Sequence, residues 1–304
     1  MTLFRLPPSS GSVLHTEDAV YEQPQTLHRD YVLQDYDPPC DPTGGLHPLS
    51  LFRHVLRAEG LLDSVWPIAS SLRSFLGAEQ TVWGFKYDNQ GQFGVEFYLY
   101  RNQGPEDAHR KSVEALVECL KPLIEIPSEV DERLPYFMLS LELNKEVLQR
   151  GQADGFRVYT AADRRVAGFD GLSYLVAGRQ LLLENYYCFY GIPNELGELR
   201  QRLTYLPRAG SASSQKALLP DYLSDCHTIC QATKQRGDGL YFSRIRTSAL
   251  ERFLATYLPG PALDLIQERQ AELEHLLWDI GIDYSVAFGT TEASVRKAGI
   301  YGVL

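Results

Sequence analysis

No apolar run in the chain approaches the roughly 18 to 20 residues that a membrane span needs. The stretch from Met1 to Asp30 also lacks the basic-then-apolar layout of a signal peptide. Both absences lead to the expectation of a soluble, cytoplasmic protein with no membrane partner. Basic side chains are scarce, with 29 Lys and Arg against 39 Asp and Glu and a formal charge of -10. A surface that tracks phosphates would have to be a local exception, so no nucleic-acid partner is expected. The five cysteines, Cys40, Cys119, Cys188, Cys226 and Cys230, form an odd and scattered set. That suits free thiols in a reducing compartment rather than a disulfide framework. Cys226, His227 and Cys230 lie together, but no second Cys or His pair stands at a zinc spacing elsewhere, so they are read as structural.

Several catalytic signatures are missing as well. There is no Gly-rich phosphate loop ending in Lys-Ser/Thr, no His-Glu-x-x-His and no Gly-x-Ser-x-Gly. Gly237-Asp238-Gly239 is too short for a dinucleotide fingerprint and lies between two strand-like segments.

What the chain does have is 304 residues with 44% apolar and 11% aromatic content, ample for a packed core. Residues 1 to 45 are rich in Pro, Ser, Gly and Gln and read as an irregular arm, with the remaining 46 to 304 as one barrel domain. Pro207 to Pro220 has loop composition and is expected to be a loop that could control an opening. Elsewhere, two-residue alternation comes in adjacent pairs joined by turn signals. Val82–Asp88 pairs with Phe93–Arg101 across Asn89-Gln90-Gly91, and Tyr136–Leu143 with Phe156–Ala161. Leu172–Val176 pairs with Leu181–Tyr190, His227–Thr233 with Leu240–Arg246, and Ile282–Phe288 with Val295–Val303. Helical spacing fills Leu49–Phe75, Ala108–Leu123, Leu196–Leu203 and Ser248–Trp278. Hairpins are antiparallel, which excludes the parallel crossover rhythm of nucleotide folds. The predicted fold is α+β: a ten-stranded antiparallel barrel built from five hairpins, with helices packed outside.

Such a barrel is wide enough to enclose a ligand chamber. If the apolar strand faces meet the helices, the polar faces line the chamber. These faces carry Glu96, Tyr98 and Tyr100; Arg157 and Tyr159; Glu184, Tyr186, Cys188 and Tyr190; Tyr241 and Ser243; and Lys297, Gly299 and Tyr301. Lys86 joins Arg157 and Lys297 as a third cation. A diphosphate needs several cationic donors to replace its hydration. Tyrosine faces attract a carbocation and keep water from it. Glu96 would hold Mg²⁺ against the diphosphate or take the proton of the attacked acceptor. Ser243 and Gly299 are small and should leave volume beside the tail of a bound ligand.

These hairpins and strands resemble the barrel-type aromatic prenyltransferases, the αββα class that includes the cyanobactin peptide prenyltransferases, over roughly residues 47 to 304. Phe156-Arg157-Val158-Tyr159 is similar to the family's diphosphate-holding strand, and Lys297-Ala298-Gly299-Ile300-Tyr301 to its closing strand. Glu96 stands where small-molecule members place a Mg²⁺-binding Asp. The resemblance implies a prenyltransferase that moves a dimethylallyl, geranyl or longer group from its diphosphate to a peptide or aromatic acceptor. Arg157, Lys297 and Lys86 would hold the diphosphate, Tyr159, Tyr186, Tyr241 and Tyr301 would shield the cation, and Glu184 would face the acceptor. All-helical prenyl synthases need Asp-Asp clusters, and no Asp-Asp pair occurs. A competing reading is a noncatalytic barrel that binds an apolar ligand or a partner protein.

Overall fold

A computed structural model describes residues 28–101, 110–131, 133–287 and 290–304. Two short strands in the arm, β1 (His28–Arg29) and β2 (Asp35–Tyr36), pair with each other. Ten strands then follow as five hairpins: β3 (Thr81–Asp88) with β4 (Phe93–Tyr100), β5 (Tyr136–Asn144) with β6 (Phe156–Ala161), and β7 (Gly171–Ala177) with β8 (Gln180–Gly191). The fourth is β9 (Thr228–Lys234) with β10 (Asp238–Arg246), and the fifth is β11 (Leu277–Val286) with β12 (Ala293–Val303). Each strand pairs with the next in sequence, and β12 returns to β3 with Val303 opposite Val82, which closes the barrel. Closure removes every edge whose unpaired amides would otherwise need covering.

The phase of each strand follows from what its apolar residues meet. Trp83, Phe85, Val95, Phe97 and Leu99 face outward into one hydrophobic core shared with the helices. Phe52, on the helix Leu49–Ala58, stacks on Trp83 at 4.8 Å between ring centroids. That helix buries Leu49, Phe52, Val55 and Leu56, at the three- and four-residue spacing of a single apolar stripe. Side-chain caps fix two other helix starts: Ser112 accepts from the Ala115 N–H and Asn144 from the Val147 N–H.

Two expectations need correction. The helical reading of 248–278 runs too far, because β11 begins at Leu277, and its Trp278 is an outward-facing strand residue. Pro207–Pro220 is not a loop: it holds the short helix Ala212–Leu218, capped by Ser211. This segment reaches the hairpin turns, where Ser211 N–H donates to Thr291 O and Arg208 Nη1 to Gly237 O. Those anchors override its loop-like composition. Phe288 and Gly289 lie outside the described residues, as do residues 1–27.

Candidate active site

The inner face of the barrel carries two cavities, one above the other. Toward the hairpin turns lies a polar cavity of about 550 Å³, whose charged lining includes Lys86, Glu96, Glu142, Arg157, Glu184, Lys234, Asp283 and Lys297. Toward the arm lies an apolar cavity of about 330 Å³, lined by Tyr31, Val32, Tyr100, Phe137, Met138 and Leu172, among others. Tyr98, Tyr159, Tyr187, Tyr241 and Tyr301 line both. Four ring contacts join these five phenols in an arc: Tyr187 to Tyr159 at 5.9 Å, Tyr159 to Tyr98 at 6.4 Å, Tyr98 to Tyr301 at 5.9 Å and Tyr301 to Tyr241 at 6.4 Å. These are edge-to-face and tilted separations typical of aromatic pairs.

Two glycines make room for the arc. A Cβ at Gly84 would come within 2.4 Å of the Tyr301 ring, and one at Gly281 within 2.4 Å of Tyr241. Each ring therefore lies flat across a neighbouring strand that lacks a side chain there. Burial pushes the phenols of Tyr98, Tyr159, Tyr241 and Tyr301 well above the usual tyrosine range, so they stay neutral and present π faces and O–H groups.

The polar cavity is an ion-pair network. Glu96 and Glu142 are direct cross-strand partners, which would repel each other if left alone. Lys86 lies between them with Nζ 2.7 Å from an oxygen of each. Arg157 carries the chain onward, 3.1 Å from Glu142 and 2.7 Å from Glu184. Burial works against the charges of Lys86 and Arg157, but their carboxylates outweigh it and hold both pKa values above the ordinary range. The same contest, won by Lys86 and Arg157, keeps Glu142 ionised well below the usual carboxylate range. On the opposite wall Lys234 donates to Asp283 at 2.6 Å and to the Tyr241 hydroxyl at 2.7 Å. Tyr241 in turn donates to Asp283 at 3.0 Å. Tyr98 likewise donates to Glu96 at 2.7 Å. Two walls thus repeat one motif: lysine, carboxylate, phenol. Lys297 makes no hydrogen bond or ion pair among the described residues, although its register partner is Asp283.

Lys86, Glu96, Tyr98, Arg157, Tyr159, Glu184, Tyr241, Lys297 and Tyr301 therefore meet in one chamber, as their strand phases predict. Tyr186 does not. It is 38% exposed on the outer face, packed edge-on against Phe169. A β-bulge is the reason: Ser173 pairs with Asn185 but Tyr174 pairs with Leu183, so Glu184 is the extra residue and the alternation changes sides there. Before the bulge Glu184 faces inward, and after it Tyr187 does, leaving Cys188 and Tyr190 outside. Ser243 lines the apolar cavity, but Gly299 borders the polar one, where a Cβ would meet Phe85 O at 2.9 Å. Gly299 is small because two strands approach closely.

Sequence reasoning missed Glu142, Lys234, Asp283, Tyr187 and the arm's Tyr31. Alternation could have found Glu142, since Leu139, Leu141 and Leu143 take the outer face of β5 and leave Ser140 and Glu142 inside. The carboxylates do not form a cage for a metal. Both oxygens of Glu96 are taken by Lys86 and Tyr98. Among the described residues no group of three or more His, Cys, Asp and Glu could hold an ion, Cys226, His227 and Cys230 included.

Among solved structures, the chain is similar to that of a 5-dimethylallyltryptophan synthase from Streptomyces coelicolor, with a TM-score of 0.51 over 83% of this chain and 96% of that one. This is the prenyltransferase-barrel fold. At 12% sequence identity the likeness is one of architecture. No family model and no curated protein matches the chain. Among the described residues of the barrel no helix is long and apolar enough to cross a membrane.

Proposed function

We propose that the protein is a prenyltransferase that takes an allylic prenyl diphosphate and alkylates an electron-rich acceptor, either a peptide side chain or an aromatic natural product. One observation carries this reading: an arc of five tyrosines, three buried and two partly buried, separates a cavity rich in fixed cations from an apolar one. An allylic diphosphate has the same division, a polyanionic head joined to a hydrocarbon tail through the carbon that becomes cationic. The head belongs with Arg157, Lys297, Lys86 and Lys234, the tail in the apolar cavity, and the reacting carbon at the phenols.

In this reading the bond between the allylic carbon and its bridging oxygen breaks, and the diphosphate leaves with the electron pair. The cations hold the leaving group by charge-assisted hydrogen bonds. The rings of Tyr98, Tyr159, Tyr187, Tyr241 and Tyr301 stabilise the allylic cation through their negative faces and exclude water that would capture it. An electron pair of the acceptor forms the new bond, and the proton the acceptor loses goes to Glu96, which Tyr98 links to the apolar cavity. Glu184, which pairs with Arg157 at 2.7 Å, faces the acceptor. Binding the head exchanges carboxylate–cation pairs for diphosphate–cation pairs. Mg²⁺ enters no step of this reading.

The test is incubation with dimethylallyl, geranyl and farnesyl diphosphates and a small library of peptides and aromatic acceptors, read by mass spectrometry. A mass gain of one prenyl group on an acceptor, with release of inorganic diphosphate, is the expected result. Unreacted donors across the whole panel, with a neutral apolar ligand held in the lower cavity instead, would favour a carrier.

A further inference from the structure

Resting on the prenyltransferase reading, we propose that Tyr31, a residue of the N-terminal arm and not of the barrel, is the floor of the prenyl pocket and sets the longest donor chain the enzyme accepts. At the lower end of the barrel the arm adds Asp30, Tyr31, Val32 and Gln34 to the lining of the apolar cavity. The Tyr31 ring enters the barrel from below and meets the arc directly, 5.1 Å from the Tyr98 ring and 5.2 Å from the Tyr301 ring. Val32 and Leu33 pack against the same lumenal cluster.

This floor is built rather than draped. Asp30 Oδ1 accepts from the N–H groups of both Val32 and Gln34, which folds residues 30–34 into a tight loop that projects inward. Leu33 takes a φ of 59°, a left-handed conformation that bulky residues rarely adopt, held by this loop. The barrel grips the loop at three points: Arg244 Nε donates to Asp30 Oδ2 at 2.8 Å, Tyr31 N–H donates to Asp279 Oδ2 at 2.8 Å, and Leu277 N–H donates to the Tyr36 hydroxyl at 3.0 Å. A ring fixed this firmly is a wall that a longer chain must displace.

The space above the floor sets the length. The apolar cavity above the ring has a volume of about 330 Å³, and Tyr31 bounds it on the side of the arm, so each added isoprene unit brings the tail closer to that ring. Removing the Tyr31 ring extends the cavity toward the arm and leaves the cations in place, at the loss of one ring contact each for Tyr98 and Tyr301.

The experiment compares wild type, Tyr31→Ala and Tyr31→Leu with five-, ten- and fifteen-carbon prenyl diphosphates, reading kcat/KM for each donor and binding of the corresponding thiodiphosphates by titration calorimetry. Wild type is expected to use the fifteen-carbon donor least well of the three. Tyr31→Ala should raise the fifteen-to-ten ratio of kcat/KM at least tenfold, with an intermediate rise for Tyr31→Leu. A general loss of packing would lower all donors together and leave the ratio unchanged. An unchanged ratio in a folded variant overturns the proposal; if Tyr31→Ala does not fold, Tyr31→Leu decides on the same ratio. Failure of the wild type to bind or use any of the three donors would overturn the prenyltransferase reading itself, and this inference with it.

Discussion

Glu142 is the residue on which the charge of the polar cavity turns. It holds Lys86 and Arg157 at once, so it both stabilises the empty site and competes with any anion for the same cations. Glu142→Gln should therefore tighten binding of inorganic diphosphate by at least threefold while lowering the thermal midpoint, because two buried cations lose a counterion. Titration calorimetry and a melting curve on the same preparation check both directions. Gly84 has an opposite kind of importance: what matters is the missing side chain. Gly84→Ala puts a methyl group where the Tyr301 ring lies, and overpacking of this kind costs about 1 to 3 kcal/mol. Thermal denaturation should show that loss, and donor turnover should fall more than tenfold as the ring is pushed from the arc.

At the scale of elements, strand β8 shows where alternation is legible and where it fails. Reading the inward face from residue 184 places Glu184 correctly and then takes Tyr186 for a lining residue, because period-two counting cannot register an inserted residue. A bulge leaves no mark in the sequence: Glu-Asn-Tyr-Tyr alternates equally well in either phase. The strands without a bulge at the site, β3, β4 and the inner half of β6, gave Lys86, Glu96, Tyr98, Arg157 and Tyr159 their places directly. The correction is open to measurement. Tyr187→Ala should reduce transfer more than tenfold, whereas Tyr186→Ala should change it less than twofold; equal effects would contradict the placement of Tyr187 inside and Tyr186 outside. The arm is the other element that composition concealed, since a Pro- and Gly-punctuated stretch reads as a leader even where Asp30 folds it into a plug. Its anchor Asp279 has a pKa raised from 3.8 to about 7, by burial first and by Asp30 second. The folded protein keeps a proton that the unfolded chain would release. This contribution to stability is therefore full below about pH 4 and is lost as pH rises through about 7. Asp279→Asn should lower stability overall, because an amide cannot accept from both Tyr31 N–H and Arg244 N–H, yet flatten the decline between about pH 4 and 7. Melting temperatures across that range report it.

The whole molecule carries a net charge of -10, yet its polar cavity is lined by six cations, Lys86, Arg157, Lys234, Arg236, Arg296 and Lys297, against Glu96, Glu142, Glu184 and Asp283. Hairpin order and outer apolar faces were readable along the chain because each is a local pattern repeated five times. The balance of charge was not, because it depends on which side chains converge across the lumen from strands far apart in sequence. The account rests on this convergence serving a prenyl diphosphate. The most direct measurement is titration of a ten-carbon prenyl thiodiphosphate into wild type and into the Arg157→Ala/Lys297→Ala double variant. Losing two charge-assisted contacts of about 1.5 kcal/mol or more each predicts at least a hundredfold weaker binding by the variant. Equal affinity for the two proteins would contradict it.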